Sequence, residues 1–377
     1  MPTPDHRPTA FSWRRQRLDG SAPGALAAVE APIAVYASNP SGPLSILARA
    51  PGVTAGDVLG IEREGLVVRG RAMRTSAFVV PSASAPMVAA ATAQPLERFA
   101  WMLRGAGVTP GGFEAARAAV VGAAAEPRTA RDLRAAAGLD GVDVSRFVSY
   151  LALRGDLRVL GATSVTSNVT RYVARATAPG AGSSPGSSPD IPRAAAQAWL
   201  AEAYLRAFGP ARVEDLAWWA AFTRAEAVAA LAAHETTDVG AGLLLRASDL
   251  EAYEACPPLP DELVLAPKWD AWTMGYPLDG RARFIDRDVH DRLFDGDGNG
   301  LGAVLVAGRA IGAWGHRGVN GRMEADLDLF ERPTPRLREL IETRLEAIAA
   351  FLDYREVRVR DVPTVVPDRP RIRRPLA

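Results

Sequence analysis

The side chains able to do chemistry are few and scattered. Four histidines, His6, His234, His290 and His316, and one cysteine, Cys256, are spread over 377 residues. A lone cysteine can form neither an internal disulfide nor a Cys-based zinc cage, and no histidine has a neighbour at metal-ligand spacing, so neither metal nor cofactor is expected. His316 lies in Trp314-Gly-His-Arg317 at an expected hairpin tip, where a surface histidine is the plain reading. Asp295-Gly-Asp-Gly-Asn-Gly300 opens like the first half of a calcium loop, but the twelfth position is Val306, so the bidentate carboxylate is missing and a glycine-rich turn is expected. Neither a Walker-type phosphate loop nor a G-x-S-x-G elbow occurs, which argues against ATP-driven or α/β-hydrolase chemistry.

Charge type says more than charge balance. The net charge of +1 announces no global field. Lys268 is the sole lysine, so nearly every cation is an arginine, the side chain suited to planar contact with phosphate and guanine. A high-GC genome writes the same composition, so position matters more than number. Arg14-Arg15-Gln16-Arg17 and the run Arg69, Arg71, Arg74 form two basic clusters, and residues 1–75 hold nine arginines against six acids. The segment from Arg355 to Ala377 holds seven arginines against three acids and four prolines, the pattern of a polyanion-binding or solubilising tail.

The elements that would position these residues follow from pattern. Thr129 with Asp132 reads as a capping box opening the helix ARDLRAAA, stopped by Gly138. Asp143 or Ser145 caps a second helix, in which Val144, Phe147, Val148 and Leu151 fall on one apolar stripe. LRVLGA and NVTRYVARA read as two strands joined by a polar turn at Thr163 to Asn168. Two helices and a hairpin make a helix-turn-helix with a wing, a shape that fits the major groove while its hairpin reaches the backbone. On that helix Arg146 and Arg154 point away from the stripe, and Arg171 and Arg175 lie in the wing.

A similar order recurs twice. After Thr177 to Pro192, a Gly-, Ser- and Pro-rich linker, come helices at Arg193 to Phe208, Val213 to Ala220 and Thr223 to His234, then a strand at Leu243 to Ala247. Before residue 82 come helices near Phe11 to Leu18, Ala25 to Tyr36 and Ala55 to Glu64, then GLVVRG and SAFVVP. From Asp261 the pattern turns β-rich, through ELVLAP, ARFID, AVLVAG, RAIGAWGH and RMEADLDLF, with a helix from Pro335 to Leu352 and the strand EVRVR. The expected fold is α+β: winged-helix units at 8–81, 82–176 and 193–258, a linker at 177–192, an α+β unit at 259–362 and a basic tail at 363–377.

With 48% hydrophobic and 23% charged residues, the chain has the composition of a globular protein of several compact units. It lacks a secretory apolar stretch near its start and any run of about 20 apolar residues, so a cytoplasmic protein without membrane contact is expected.

Several segments together resemble one family, the winged-helix DNA-binding proteins that include the bacterial AlkZ and YcaQ DNA glycosylases. They are Trp13-Arg-Arg-Gln-Arg-Leu18, Val68-Arg-Gly-Arg-Ala-Met-Arg-Thr75, Tyr204-Leu-Arg-Ala-Phe-Gly-Pro210 leading to Leu216-Ala-Trp-Trp219, Leu265-Ala-Pro-Lys-Trp-Asp-Ala-Trp-Thr-Met-Gly-Tyr276, and Val304-Leu-Val-Ala-Gly-Arg-Ala-Ile-Gly-Ala-Trp314. The resemblance implies a concave, DNA-holding surface and excision of alkylated or crosslinked bases. It also implies a Gln-x-Gln or Gln-x-Asp pair that positions and activates water in the first unit. The corresponding segment here is Val35-Tyr-Ala-Ser-Asn-Pro40, in which Tyr36 and Ser38 occupy the two catalytic positions.

That substitution bears on the chemistry. Oxocarbenium-like charge and an oriented water call for carboxylate or amide oxygens, and a phenol with a pKa near ~10 is a poor base at neutral pH. Asp270 is a substitute carboxylate by type, although its place in the pattern suggests support of the fold. Three readings follow: a duplex-DNA-binding protein without catalysis, an active DNA glycosylase with an altered centre, and a protein-binding scaffold. The first leads, with Arg14, Arg15, Gln16, Arg71, Arg74, Arg146 and Arg171 as DNA contacts, double-stranded DNA as partner and a monomer as the expected state.

Overall fold

The structure, a computed structural model, describes residues 6–175 and 191–365. The expected linker, apart from residues 191 and 192, and the expected tail from 366 onward lie outside the described residues.

The chain starts with α1 (Arg7–Arg15), followed by α2 (Ala25–Glu30). The helix expected from Ala25 to Tyr36 ends at Glu30. Pro32 has no backbone N–H to extend α2, Ile33 adopts a φ of 74°, and the chain leaves as the short strand β1 (Val35–Tyr36). Then come α3 (Ser41–Arg49), which was not expected, and α4 (Ala55–Arg63), opened by a reciprocal cap between Thr54 and Asp57. Strands β2 (Val67–Arg71) and β3 (Ala77–Pro81) pair antiparallel, and β1 adds beside β3 with Tyr36 opposite Phe78.

Next are α5 (Ala85–Thr92), α6 (Ala100–Ala106), α7 (Phe113–Ala123), β4 (Arg128–Thr129), α8 (Ala130–Ala137), α9 (Val144–Arg154), β5 (Leu157–Leu160) and β6 (Arg171–Ala174). The expected cap residues open these helices, although Thr129 and Asp132 make only one of the two backbone bonds of a capping box. Thr129 accepts the Asp132 N–H, Asp143 accepts that of Arg146, and Gly138 and Gly155 end their helices in left-handed conformation. Leu133, Val144, Phe147, Val148 and Leu151 fill the core of this part. One residue pair, Arg69 with Val159, joins β2 to β5, so the two hairpins form a single six-stranded sheet in the order β1-β3-β2-β5-β6-β4.

Beyond residue 191 run α10 (Arg193–Phe208), α11 (Val213–Ala220), α12 (Arg224–Leu231), β7 (Thr236–Asp238), β8 (Leu244–Arg246) and α13 (Leu250–Glu254). Ala211 makes an isolated bridge to Leu244 between α10 and α11, so this part resembles in order α2-β1-α3-α4-β2-β3 and α7-β4-α8-α9-β5-β6, with the bridge in place of the short strand. The last part holds β9 (Leu263–Ala266), α14 (His290–Leu293), β10 (Gly302–Val306), β11 (Arg309–Val319), β12 (Arg322–Leu329), α15 (Pro335–Phe351) and β13 (Val357–Asp361). Its sheet runs β13-β12-β11-β10-β9, with β13 parallel to β12.

Two further expectations are corrected. ARFID is not a strand: residues Leu278–Arg283 coil as a tight 3-10 turn that turns the Arg281 guanidinium inward, and Phe284 is fully buried. His316 is not at a hairpin tip. It sits mid-strand opposite Ala325, stacked on Trp314, and the β11–β12 turn lies at Asn320-Gly321. The loop from Asp295 to Gly300 is a turn held by its own first carboxylate, which accepts the N–H groups of Asp297 and Asn299.

Long-range packing binds these parts together. The largest core brings α1, α5, α10, α11 and the segment after β9 around Trp13, Tyr204, Phe208, Trp272 and Tyr276. The Trp13 and Trp272 rings meet edge to face with centroids 5.4 Å apart. A second core packs α2, α3 and α4 against the C-terminal sheet and α15. The mixture is the α+β fold expected.

Candidate nucleic-acid interface

Tyr36 and Ser38 lie where β1 ends, and the backbone between them is clamped from two sides. Arg69 on β2 donates to the Ala37 carbonyl at 2.7 Å while its Nε bonds the Glu62 carboxylate. Its guanidinium packs flat on Gly161, where a Cβ would come within 2.5 Å of it. From the other side, Asn168 in the β5–β6 turn accepts the Asn39 N–H at 2.8 Å and donates to the Asn39 carbonyl at 2.5 Å. Asn39 in return donates to the carbonyls of Ser164 and Ser167. The β5–β6 turn is thereby docked onto the segment that follows β1.

The chemistry of the pair follows from its partners. The Tyr36 hydroxyl accepts from Arg74 at 2.6 Å, and burial raises its pKa against the lowering effect of that guanidinium. Its ring packs against Phe78 and faces Trp269 at 6.4 Å, with Lys268 over the Trp269 indole. The Ser38 hydroxyl reaches only Asn168, at 3.5 Å. Among the described residues neither side chain has a carboxylate partner, so neither has a base to draw its proton.

Asp270 is not a substitute. It is fully buried in a bidentate pair with Arg49 at 2.8 and 3.0 Å, and it also accepts from Ser45 and the Trp272 N–H. Burial pushes this carboxyl up, but the charge and hydrogen bonds of Arg49, Ser45 and Trp272 outweigh it and leave it below the usual carboxylate range. No lone pair of this carboxylate faces solvent, so it ties α3 to the segment after β9.

The other expected contacts divide into groups. Arg71 lines a cleft of about 490 Å³ between the β2–β3 hairpin and α9, whose wall also includes Ala37, Arg154, Arg158 and Tyr172. Burial lowers the pKa of Arg71. Arg74, at the hairpin tip with a φ of 52°, turns toward Tyr36 and lies 3.9 Å over the Trp218 ring. Arg171 folds back on the Gly161 carbonyl, and Arg146 on α9 is half-exposed, held by Gly105 and Asp143.

The N-terminal cluster lies apart from these residues. Arg14 is committed to the carbonyls of Pro257 and Pro258, Arg15 to Asp249, and both line a separate concavity with Arg17 and Arg206. Gln16 is fully buried and accepts from Arg49. The sequence reading missed Trp218, Trp269, Arg281 and Asn168. Only the two tryptophans had a signal, as members of aromatic segments, and Lys268 had one as the sole lysine.

Besides Ile33, three non-glycine residues around Tyr36 hold left-handed backbone: Arg74, Thr75 and Trp269, with φ of 52°, 57° and 61°. Such conformations cost on the order of 1–3 kcal/mol each and persist where surrounding structure enforces them, which is common at ligand sites.

A family model described as DNA glycosylase AlkZ-like matches residues 26–351. Among solved structures, Streptomyces sahachiroi DNA glycosylase AlkZ superposes with a TM-score of 0.71 at 20% identity, covering 96% of this chain and 100% of that one. No curated protein matches the sequence. Among the described residues no helix is long and apolar enough to cross a membrane, and no cluster of three or more His, Cys, Asp or Glu could hold a metal ion.

Proposed function

The chain belongs to the AlkZ-like DNA glycosylase family, and from that premise we propose that it binds duplex DNA without hydrolysing a glycosidic bond at Tyr36 and Ser38. The family implies a DNA partner. The recurring order of helix, short strand or bridge, helix, helix and hairpin supports reading the parts as winged-helix units at 8–81, 82–176 and 193–258, with an α+β unit at 259–362. Arg71, Arg74, Arg146 and Arg171 are the proposed backbone contacts, and Arg14, Arg15 and Gln16 serve the fold instead. The protein acts as a cytoplasmic monomer in this reading.

One observation carries the non-catalytic part. The phenol of Tyr36 accepts from a guanidinium and, with its pKa raised by burial above an ordinary value near ~10, carries no charge at neutral pH, so it is a poor base toward water and supplies no negative charge to an oxocarbenium centre. Ser38 has only a carboxamide oxygen in reach.

The test incubates the full chain with alkylated and unmodified duplexes and scores retention and alkali-labile breaks together. Retention that weakens with salt, without breaks, is the expected result. Breaks above background that disappear in Tyr36→Ala and Ser38→Ala would establish catalysis at this motif, and absence of binding at low salt would leave the scaffold reading.

A further inference from the structure

Among the described residues two arginines are fully buried, Arg49 and Arg281, and only the first is matched to an acid. Arg49 faces Asp270, while Arg212 and Arg283 share Asp215. Arg281 is 3% exposed and has no carboxylate partner among the described residues. Its donors face the carbonyls of Tyr276 and Gly298 and the Nε2 of His290, and its face lies 3.8 Å over Phe294. The nearby Asp295 carboxylate is taken up inside its own loop.

A second cation without an acid stands beside it. Arg74 donates through Nη2 to the Tyr36 hydroxyl and the Met274 carbonyl, and its Nε and Nη1 protons have no partner among the described residues. The half-buried Trp218 ring carries both guanidinium carbons, Arg74 at 3.9 Å and Arg281 at 5.8 Å. Two like charges under partial desolvation repel unless an anion joins them. The repulsion has a signature in Arg281, whose pKa falls to about 10 through burial and the charge of Arg74. The two side chains come from distant stretches, the β2–β3 hairpin and the turn before α14, and Trp218 comes from α11. Left-handed backbone at Arg74 and Thr75 fixes the first of them in place.

We propose that Arg74 and Arg281, set about the Trp218 ring, form a phosphate subsite. Resting on the DNA-binding reading, the phosphate is a backbone diester next to the nucleotide that lies against Tyr36. Arg74 makes the direct contacts with its outward donors, and Arg281 supplies charge from behind. The indole shields both from water and so strengthens their attraction for the anion.

The test uses the full chain and two probes. Duplex affinity is measured across a salt series for wild type, Arg74→Gln and Arg281→Met, and the thermal midpoint is measured in sodium phosphate against sodium chloride at matched ionic strength. Each variant is expected to lose roughly tenfold in affinity and about 0.9 from the salt slope, the signature of one lost phosphate. The half-exposed Arg74 keeps the test open should Arg281→Met fail to fold. If wild type binds no duplex but phosphate raises its midpoint and Arg74→Gln abolishes the rise, the DNA reading fails while the subsite stands as one for free phosphate. Wild-type slope and affinity in Arg74→Gln, with no phosphate-specific midpoint shift, would overturn the subsite.

Discussion

The Tyr36 hydroxyl and the Arg74 guanidinium, 38 positions apart in the chain, meet at 2.6 Å and hold the end of β1 against the tip of the next hairpin. The arrangement converts a position that the family resemblance assigns to water activation into a hydrogen-bond acceptor for a cation.

Replacing Tyr36 by Phe removes that acceptor and leaves an Arg74 donor half-buried, at an expected cost of about 1–3 kcal/mol in chemical denaturation. The pH dependence has a definite sign. The folded phenol holds its proton above the ordinary value near ~10. Its contribution is therefore complete below that pH and is lost as pH rises through the folded value. Wild type and Tyr36→Phe should differ in their alkaline unfolding, and identical profiles above pH ~10 would contradict the assignment.

Asp270→Asn should be among the most damaging single changes in the chain. It leaves Arg49 charged and buried, and removing one partner of such a pair costs about 3–5 kcal/mol. A midpoint in denaturant within error of wild type would show that the pair contributes little.

Asn168→Ala should loosen the β5–β6 turn against Asn39 without unfolding the core of α7 to α9, because the carboxamide makes two of the four hydrogen bonds that join the turn to Asn39. Amide exchange over residues 161–170 should speed up while that of α9 does not. Unchanged exchange in the turn would mean that the contact does not hold it.

Glu226 provides an acid-side marker. Its carboxyl accepts the Thr223 N–H at the start of α12 and also bonds Gln197, which brings its pKa down to about 2. Stability from a depressed carboxyl is present above the unfolded value, near ~4.3, and disappears as pH falls toward the folded one. Glu226→Gln should lose stability at neutral pH and show a flatter decline between those limits. Because the side chain is partly exposed, the effect should be modest.

Local rules made much of the framework legible. Thr129, Asp143 and Thr223 announce their helices by type and spacing, and the stripe from Val144 to Leu151 marks its buried face without tertiary information. The misreadings have local causes of another kind. Pro32 and Ile33 break an alanine-rich helical pattern, and ARFID, residues 282–286, begins in a 3-10 turn in which Arg281 and Arg283 both bond backbone carbonyls of other segments. The site was legible only in part. Arg74 and Tyr36 stood in segments that attract notice, but their meeting depends on register between β1 and β3. Trp218 and Arg281 reach the same place from more than 140 residues away. Gln16 sits in a basic run that reads as surface, yet helix packing against Arg49 takes it inside.

The ion pair joining α3 to the segment after β9 spans 221 positions and has no exposed atom on either side chain. A cut in the middle of the chain would give each fragment one orphaned charge and only part of the interiors that the two halves share, while the core of α7 to α9 would stay whole in the first. Produced separately the halves should lose those shared interiors, and mixed together they should rebuild a single particle.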